Sequence, residues 1–143
     1  MARVLVPGGQ LVMGVWGRAE NCPFVIAVTD VIGKYLGENS TALFQKACSL
    51  SDPGELRNMV RDAGFSNITI RAGVKISRHP SLSELLPAYF SIFPVAADIA
   101  AMQEEERARM FSCMATSLED YREKDGLAVP TENYILTAQT RQS

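Results

Sequence analysis

The 143 residues are 47% hydrophobic and 21% charged, with a net charge of −2 and a pI near 5.4. This is the composition of one ordinary globular domain. It excludes a strongly basic surface of the kind that binds nucleic acid or anionic membrane, and no run of about 20 apolar residues offers a membrane span. Three scattered cysteines (Cys22, Cys48, Cys113) and a single histidine (His79) exclude a zinc site. Reduced thiols and a cytoplasmic location are therefore expected, and no secretory signal pattern opens the chain.

Residues 2–5 read as the last turn of a helix, stopped by Pro7, Gly8 and Gly9. Residues 10–16 (QLVMGVW) run apolar almost without a break, as a strand buried on both faces of a parallel sheet does. Such a strand needs neighbours that precede it, so the sequence reads as the back half of a larger α/β fold. A loop over 17–23 leads to a helix over 24–36, with Phe24, Val28, Val31, Ile32 and Tyr35 at three- and four-residue spacing and Gly37 as its stop. Residues 38–50 read as loop with one helical turn.

Asp52-Pro53-Gly54-Glu55 starts a helix: Asp52 caps, Pro53 suits the first helical position, and Glu55 can complete a capping box. Leu56, Met59 and Val60 form its apolar stripe, Gly64 closes it, and Phe65 folds back over the last turn. Residues 66–71 alternate as a strand, with a continuation through Val74 and Ile76 open to it after a kink at Gly73. Ser81-Leu82-Ser83-Glu84 reads as a second capping box, followed by a helix with Leu82, Leu85, Leu86, Tyr89 and Phe93 on one side and Pro87 inside it. A long helix is expected over 99–124, with Met110, Met114, Leu118 and Tyr121 on one face and Gly126 as its end. The final strand covers 133–138, reached through 127–130. Residues 1–75 carry eight Lys/Arg and six Asp/Glu, whereas residues 76–143 carry six and ten. The acidic excess at Glu104–106 and 119–125 fits a solvated helix face, with Glu105 and Arg109 as a four-residue pair.

Three stretches, in this order, resemble the C-terminal half of class I S-adenosylmethionine-dependent methyltransferases, in the broad group that includes the quinone-biosynthesis C-methyltransferases. They are Arg3-Val4-Leu5-Val6-Pro7-Gly8-Gly9-Gln10-Leu11, then Asp52 to Leu56 with Asp62-Ala63-Gly64-Phe65, then Tyr134-Ile135-Leu136-Thr137-Ala138. The resemblance implies an α/β fold: a partial Rossmann-like sheet holding the family's fifth to seventh strands, with the last strand antiparallel in the middle. It implies a single partial domain, with sheet and flanking helices in 1–79, a helical substrate cover in 80–126 and the final strand in 127–143. The family's glycine-rich cofactor turn and the acidic residue that follows it have no counterpart here. Gly8-Gly9 lies between helix and strand, whereas a cofactor turn runs from strand to helix. S-adenosylmethionine is thus the parent family's cofactor and is not expected to bind this chain tightly alone. Methyl transfer depends on aligning a nucleophile with the methyl carbon, so the chain alone is expected to be inactive. The alternative is a non-catalytic module for dimerisation or for an apolar ligand.

Five residues are candidates for substrate contact. Trp16 ends the first strand, where ligands meet this fold, with Arg18 and Asn21 in the next loop; Tyr89 and Phe93 lie on the cover. Simple packing is the plainer reading for Trp16 and for the aromatic stripe, including Met110 and Met114. His79 is the one candidate general base, with a loop histidine as the plain alternative; Cys22 and Cys48 read as small buried apolar residues. No catalytic residue or metal ligand is assigned. The partners expected are a small-molecule substrate and, through the uncharged edge of 10–16, a second copy or an N-terminal half; neither nucleic acid nor membrane is expected.

Overall fold

Strand β1 spans Gln10–Trp16 in the computed structural model of the protein, which describes residues 2–141. It pairs antiparallel with β4 (Gly126–Thr140), which pairs on its other side, also antiparallel, with β2 (Phe65–His79). The order is β1-β4-β2, so the strand latest in the chain sits in the middle. Leu136 faces Met13 on one side and Ile70 on the other; Asn133 faces Trp16 and Gly73. A bulge between Ser66 and Thr69 shifts the β2 register, and Asn67 takes a φ of 51° there. The two-residue β3 (Arg122–Glu123) turns at Gly126 onto the start of β4.

β1 is not buried on both faces. Leu11, Met13 and Val15 are half-buried, while Val12 is 67% exposed and Trp16 37% exposed. The cause is that over β1 only one face is covered: α3 (Pro53–Asp62) lies over the face holding Leu136 and Ala138, and packs Leu56 and Val60 against it beside Phe65 of β2. That helix begins as the sequence indicates, with Asp52 Oδ1 accepting the Glu55 N–H at 2.9 Å, and ends at Gly64, φ 93°. Met59 is 54% exposed rather than part of the stripe, because only Leu56 and Val60, four apart, point at the sheet.

The opposite face carries the helical cover. α1 (Pro23–Leu36) lies on Leu127 and Val129 through Ala27, and contributes Val28, Val31 and Ile32 to the largest apolar cluster. α2 (Ala42–Ala47), α4 (Leu82–Phe90), α5 (Ala96–Ala101) and α6 (Glu104–Ser117) complete that cluster through Phe44, Phe90, Ile99, Met110 and Met114. The single helix expected over 99–124 is two. The backbone extends at Met102 and Gln103 (ψ 148° and 144°), which lets Ile99 and Met110 enter the same cluster, and Arg122–Glu123 is strand. The second capping box does not form: Ser81 makes no cap bond, and its hydroxyl pairs with that of Ser83 at 2.5 Å. Nor are Glu105 and Arg109 among the ion pairs of the described residues. Met110 and Met114 are fully buried core.

Candidate functional site

Strand alternation puts Lys75, Ser77 and His79 of β2 on one face, beside Thr131 and Val129 of β4 and in line with Trp16 at the end of β1. α1 and α4 stand over this face and bring Phe24, Val25, Leu85 and Tyr89 against it. Between them lies a cleft of about 250 Å³ lined by all of these residues and Asn133. Its walls are mainly apolar and aromatic, with a few polar groups from the sheet floor, the usual make-up of a small-molecule site.

The aromatic wall is held rigidly. Tyr89 meets Phe24 edge-on at 5.0 Å (84°) and Phe93 at 4.9 Å, and Phe93 in turn rests on Phe44 at 5.0 Å. Burial raises the Tyr89 phenol, which keeps it neutral at ordinary pH, and its hydroxyl has no hydrogen-bond partner among the described residues. On the floor, Asn133 Nδ2 donates to the Thr131 carbonyl at 2.9 Å, which leaves the Asn133 amide oxygen free.

The five candidate residues divide. Trp16 and Tyr89 line the cleft, and Phe93 stands behind Tyr89 as its support. Arg18 and Asn21 do not line the cleft: the backbone amide of Arg18 and the side chain of Asn21 meet Glu132 of β4, and the Arg18 guanidinium pairs with Glu20 at 3.7 Å. The Arg18 N–H donates to Glu132 Oε2 at 2.9 Å, the Gly17 N–H donates to the Glu132 carbonyl at 2.8 Å, and the Tyr134 hydroxyl reaches Oε2 at 3.4 Å. The amide of Arg18 and the side chain of Asn21 together hold the Glu132 carboxyl below its usual range. Glu132 is thus the residue that fixes the loop closing the Trp16 end of the cleft, and Gly17 is glycine because a Cβ there would stand 2.7 Å from Glu132 Cβ. The interaction requires the carboxylate, so it is present above the ordinary carboxylate pKa and lost as pH falls through the lowered one. Glu132→Gln should speed amide exchange at Gly17 and Arg18 at neutral pH, and wild-type exchange there should approach the variant's only once the pH has fallen through the lowered Glu132 pKa; equal rates at pH 7 would count against the anchor.

His79 ends β2 inside the cleft rather than in a loop. Lys75, Ser77, Asn133, Phe24 and Glu132 were not picked out by the sequence; the i, i+2, i+4 polar series at 75, 77 and 79 was the available signal. A larger hollow of about 660 Å³ surrounds the 123–126 turn, but it lacks Trp, Tyr and Phe and is rimmed by charges that include the Arg78–Glu123 pair at 3.4 Å.

Cys22 and Cys48 are buried in one small cluster with Val25, while Cys113 is half-exposed beside the Tyr35 hydroxyl at 3.4 Å. Burial pushes the Cys48 thiol up to about 11 and raises Cys22 in the same direction. The thiolate is the nucleophile, so iodoacetamide at pH 8 should label Cys113 alone, with Cys22 and Cys48 reacting only in denaturant. Because the folded state holds these protons more tightly than the unfolded one, stability is intact below about pH 9 and should fall as pH rises towards about 11. Labelling of Cys48 as fast as Cys113, or a flat alkaline melting profile, would contradict this.

Among the described residues no group of three or more His, Cys, Asp or Glu is placed to hold a metal ion, and no helix is long and apolar enough to cross a membrane. No protein-family model and no curated protein matches the sequence. Solved structures are similar to it, among them these two. One is a candidate methyltransferase from Bacillus halodurans, at 15% identity and TM-score 0.45, covering 99% of this chain and 55% of that one. The other is a phosphoethanolamine N-methyltransferase from Haemonchus contortus, solved with phosphomonomethylethanolamine and S-adenosylhomocysteine, at 15% identity and TM-score 0.35, covering 99% and 28%. The chain therefore spans about half the length of the first and about a quarter of the second.

Proposed function

We propose that the chain is the substrate-covering part of an S-adenosylmethionine-dependent methyltransferase acting on a small molecule, and that alone it transfers no methyl group. The observation that carries the first statement is the aromatic-walled cleft at the carboxyl end of β1, between sheet and helical cover. Its volume of about 250 Å³ lies just below the range of drug-sized sites, which suits a compact acceptor.

The described residues do not fit the cofactor. Its fold-typical cradle is a glycine turn leading from strand to helix. The left-handed glycines (Gly8, Gly37, Gly64, Gly126) lie at a turn into a strand, at two helix ends and at a hairpin. Gly17, which does follow a strand, has its open side filled by Glu132. The test is to incubate the purified chain with labelled S-adenosylmethionine and a panel of small phenols, while following the Trp16 indole N–H by NMR. No incorporation is expected, together with a shift of that signal by aryl compounds. Robust incorporation would overturn the inactivity, and an indole signal unmoved by every aryl probe would overturn the substrate-cover reading.

A second reading, a module that associates through its sheet, has its own support. β1 has no partner on its outer side among the described residues, and it carries no charge and no proline to discourage one. If a second copy or a separate N-terminal part pairs there, Val12→Lys or Gly14→Lys, both on the exposed face, should abolish the oligomer seen by light scattering. Met13→Lys is unsuitable, since Met13 packs towards Leu136 and would cost stability instead. A strictly monomeric wild type at high concentration would remove this reading.

A further inference from the structure

We infer that the cleft is built for a planar aromatic anion, a ring system bearing a carboxylate, with Lys75 as the residue that selects the charge. The inference rests on the reading of the cleft as a small-molecule site and adds the chemical class of its occupant.

Three observations converge. The first is that Lys75 and His79 line the cleft while no aspartate or glutamate does. The second is that Lys75 lacks a carboxylate partner: among the described residues every ion pair uses an arginine, and none involves Lys75 or His79. An exposed ammonium at the mouth of an apolar cleft, with no carboxylate partner, favours an anionic ligand through a charge-assisted hydrogen bond. The third is the shape of the space. Trp16, Phe24 and Tyr89 present flat surfaces, the Phe24–Tyr89 corner is fixed at 84°, and about 250 Å³ admits one or two fused rings.

The register places the charge at one end. Lys75 stands opposite Thr131, next to the Asn133–Trp16 row, whereas His79 lies four residues on, at the level of Leu127. Four residues of strand span about 13 Å. A carboxylate at the Lys75 end therefore puts the ring between Tyr89 and the Val129 floor, with the Ser77 hydroxyl beside it.

Trp16 is the only tryptophan, so its indole N–H gives a single, assignable NMR signal from inside the cleft. The probes are 2-naphthoate and its neutral analogue 2-naphthamide. 2-Naphthoate should bind at least tenfold more tightly, and Lys75→Met should reduce it to the level of the amide while leaving the amide unchanged. Lys75→Arg should keep most of the preference. Lys75 is surface-exposed, so the variants should retain the wild-type amide spectrum, and Lys75→Gln provides a second neutral replacement. Equal binding of the two probes, or a preference that survives Lys75→Met and Lys75→Gln, would overturn the inference while leaving the small-molecule site standing. Failure of both probes to move the Trp16 signal would overturn both.

Discussion

Gly126→Ala should destabilise the protein by about 3 kcal/mol or more, a large share of the roughly 5–15 kcal/mol that holds a domain of this size together. Gly126 has a φ of 138°, a conformation that costs an L-residue about 1–3 kcal/mol. Space adds to this. A Cβ at Gly126 would overlap the His79 carbonyl oxygen and stand 2.9 Å from Pro80 Cα, both backbone atoms that cannot rotate aside. The ladder would have to open where His79 faces Leu127, and Leu127 is buried under α1 beside Leu118 and Val129. Gly73 supplies the control. It lies mid-strand with nothing within 4 Å of the position an added methyl would take, so Gly73→Ala should change stability by no more than about 0.5 kcal/mol. Urea unfolding midpoints measure both; a Gly126→Ala cost below about 1 kcal/mol would contradict the geometry.

Phe90→Ala should cost about 3–5 kcal/mol and loosen the cleft at the same time. Phe90 is 2% exposed at the end of α4. Its ring lies parallel to Phe111 at 6.3 Å and edge-on to Phe44 at 6.2 Å and to Tyr89 at 5.4 Å. Truncation leaves a cavity among side chains drawn from α2, α4 and α6, which cannot all collapse inwards. Tyr89 then loses one of the rings that hold it, and the wall it makes becomes mobile. The variant should therefore show a lower urea midpoint and a broadened Trp16 indole signal. Ile92, 77% exposed two residues later, should tolerate alanine within about 0.5 kcal/mol. A Phe90→Ala cost close to that of Ile92→Ala would show that the cover is not packed as described.

Local chemistry made some elements legible in advance. The apolar run 10–16 is β1 to the residue, and Asp52-Pro53 caps α3 by the hydrogen bond its spacing indicates. The antiparallel central strand was accessible through the family resemblance, not through residue pattern, because nothing local in 126–140 says which strands it will join. What misled was context. The break between α5 and α6 has neither proline nor glycine; it exists because Ile99 and Met110 must reach one cluster from different directions. Ser81 had the right partner spacing for a box but took the Ser83 hydroxyl instead. For the site, aromatic type and strand-end position pointed to Trp16 and Tyr89, which line the cleft, whereas the contacts of the Arg18 amide and the Asn21 side chain with Glu132 were not legible, because Glu132 is distant in sequence. Lys75, Ser77 and His79 become a row only once β2 is known to reach His79.

Every strand of this sheet waits for β4. Gln10 pairs with Gln139, and Phe65 pairs with Thr140, so among the described residues neither earlier strand has a ladder partner until that ribbon is available. During synthesis the helices can begin to associate while β1 and β2 remain without hydrogen-bonded neighbours. Closing such long chain segments is entropically slow, which makes sheet assembly a late step of folding and leaves the apolar β1 segment open to wrong pairings until then.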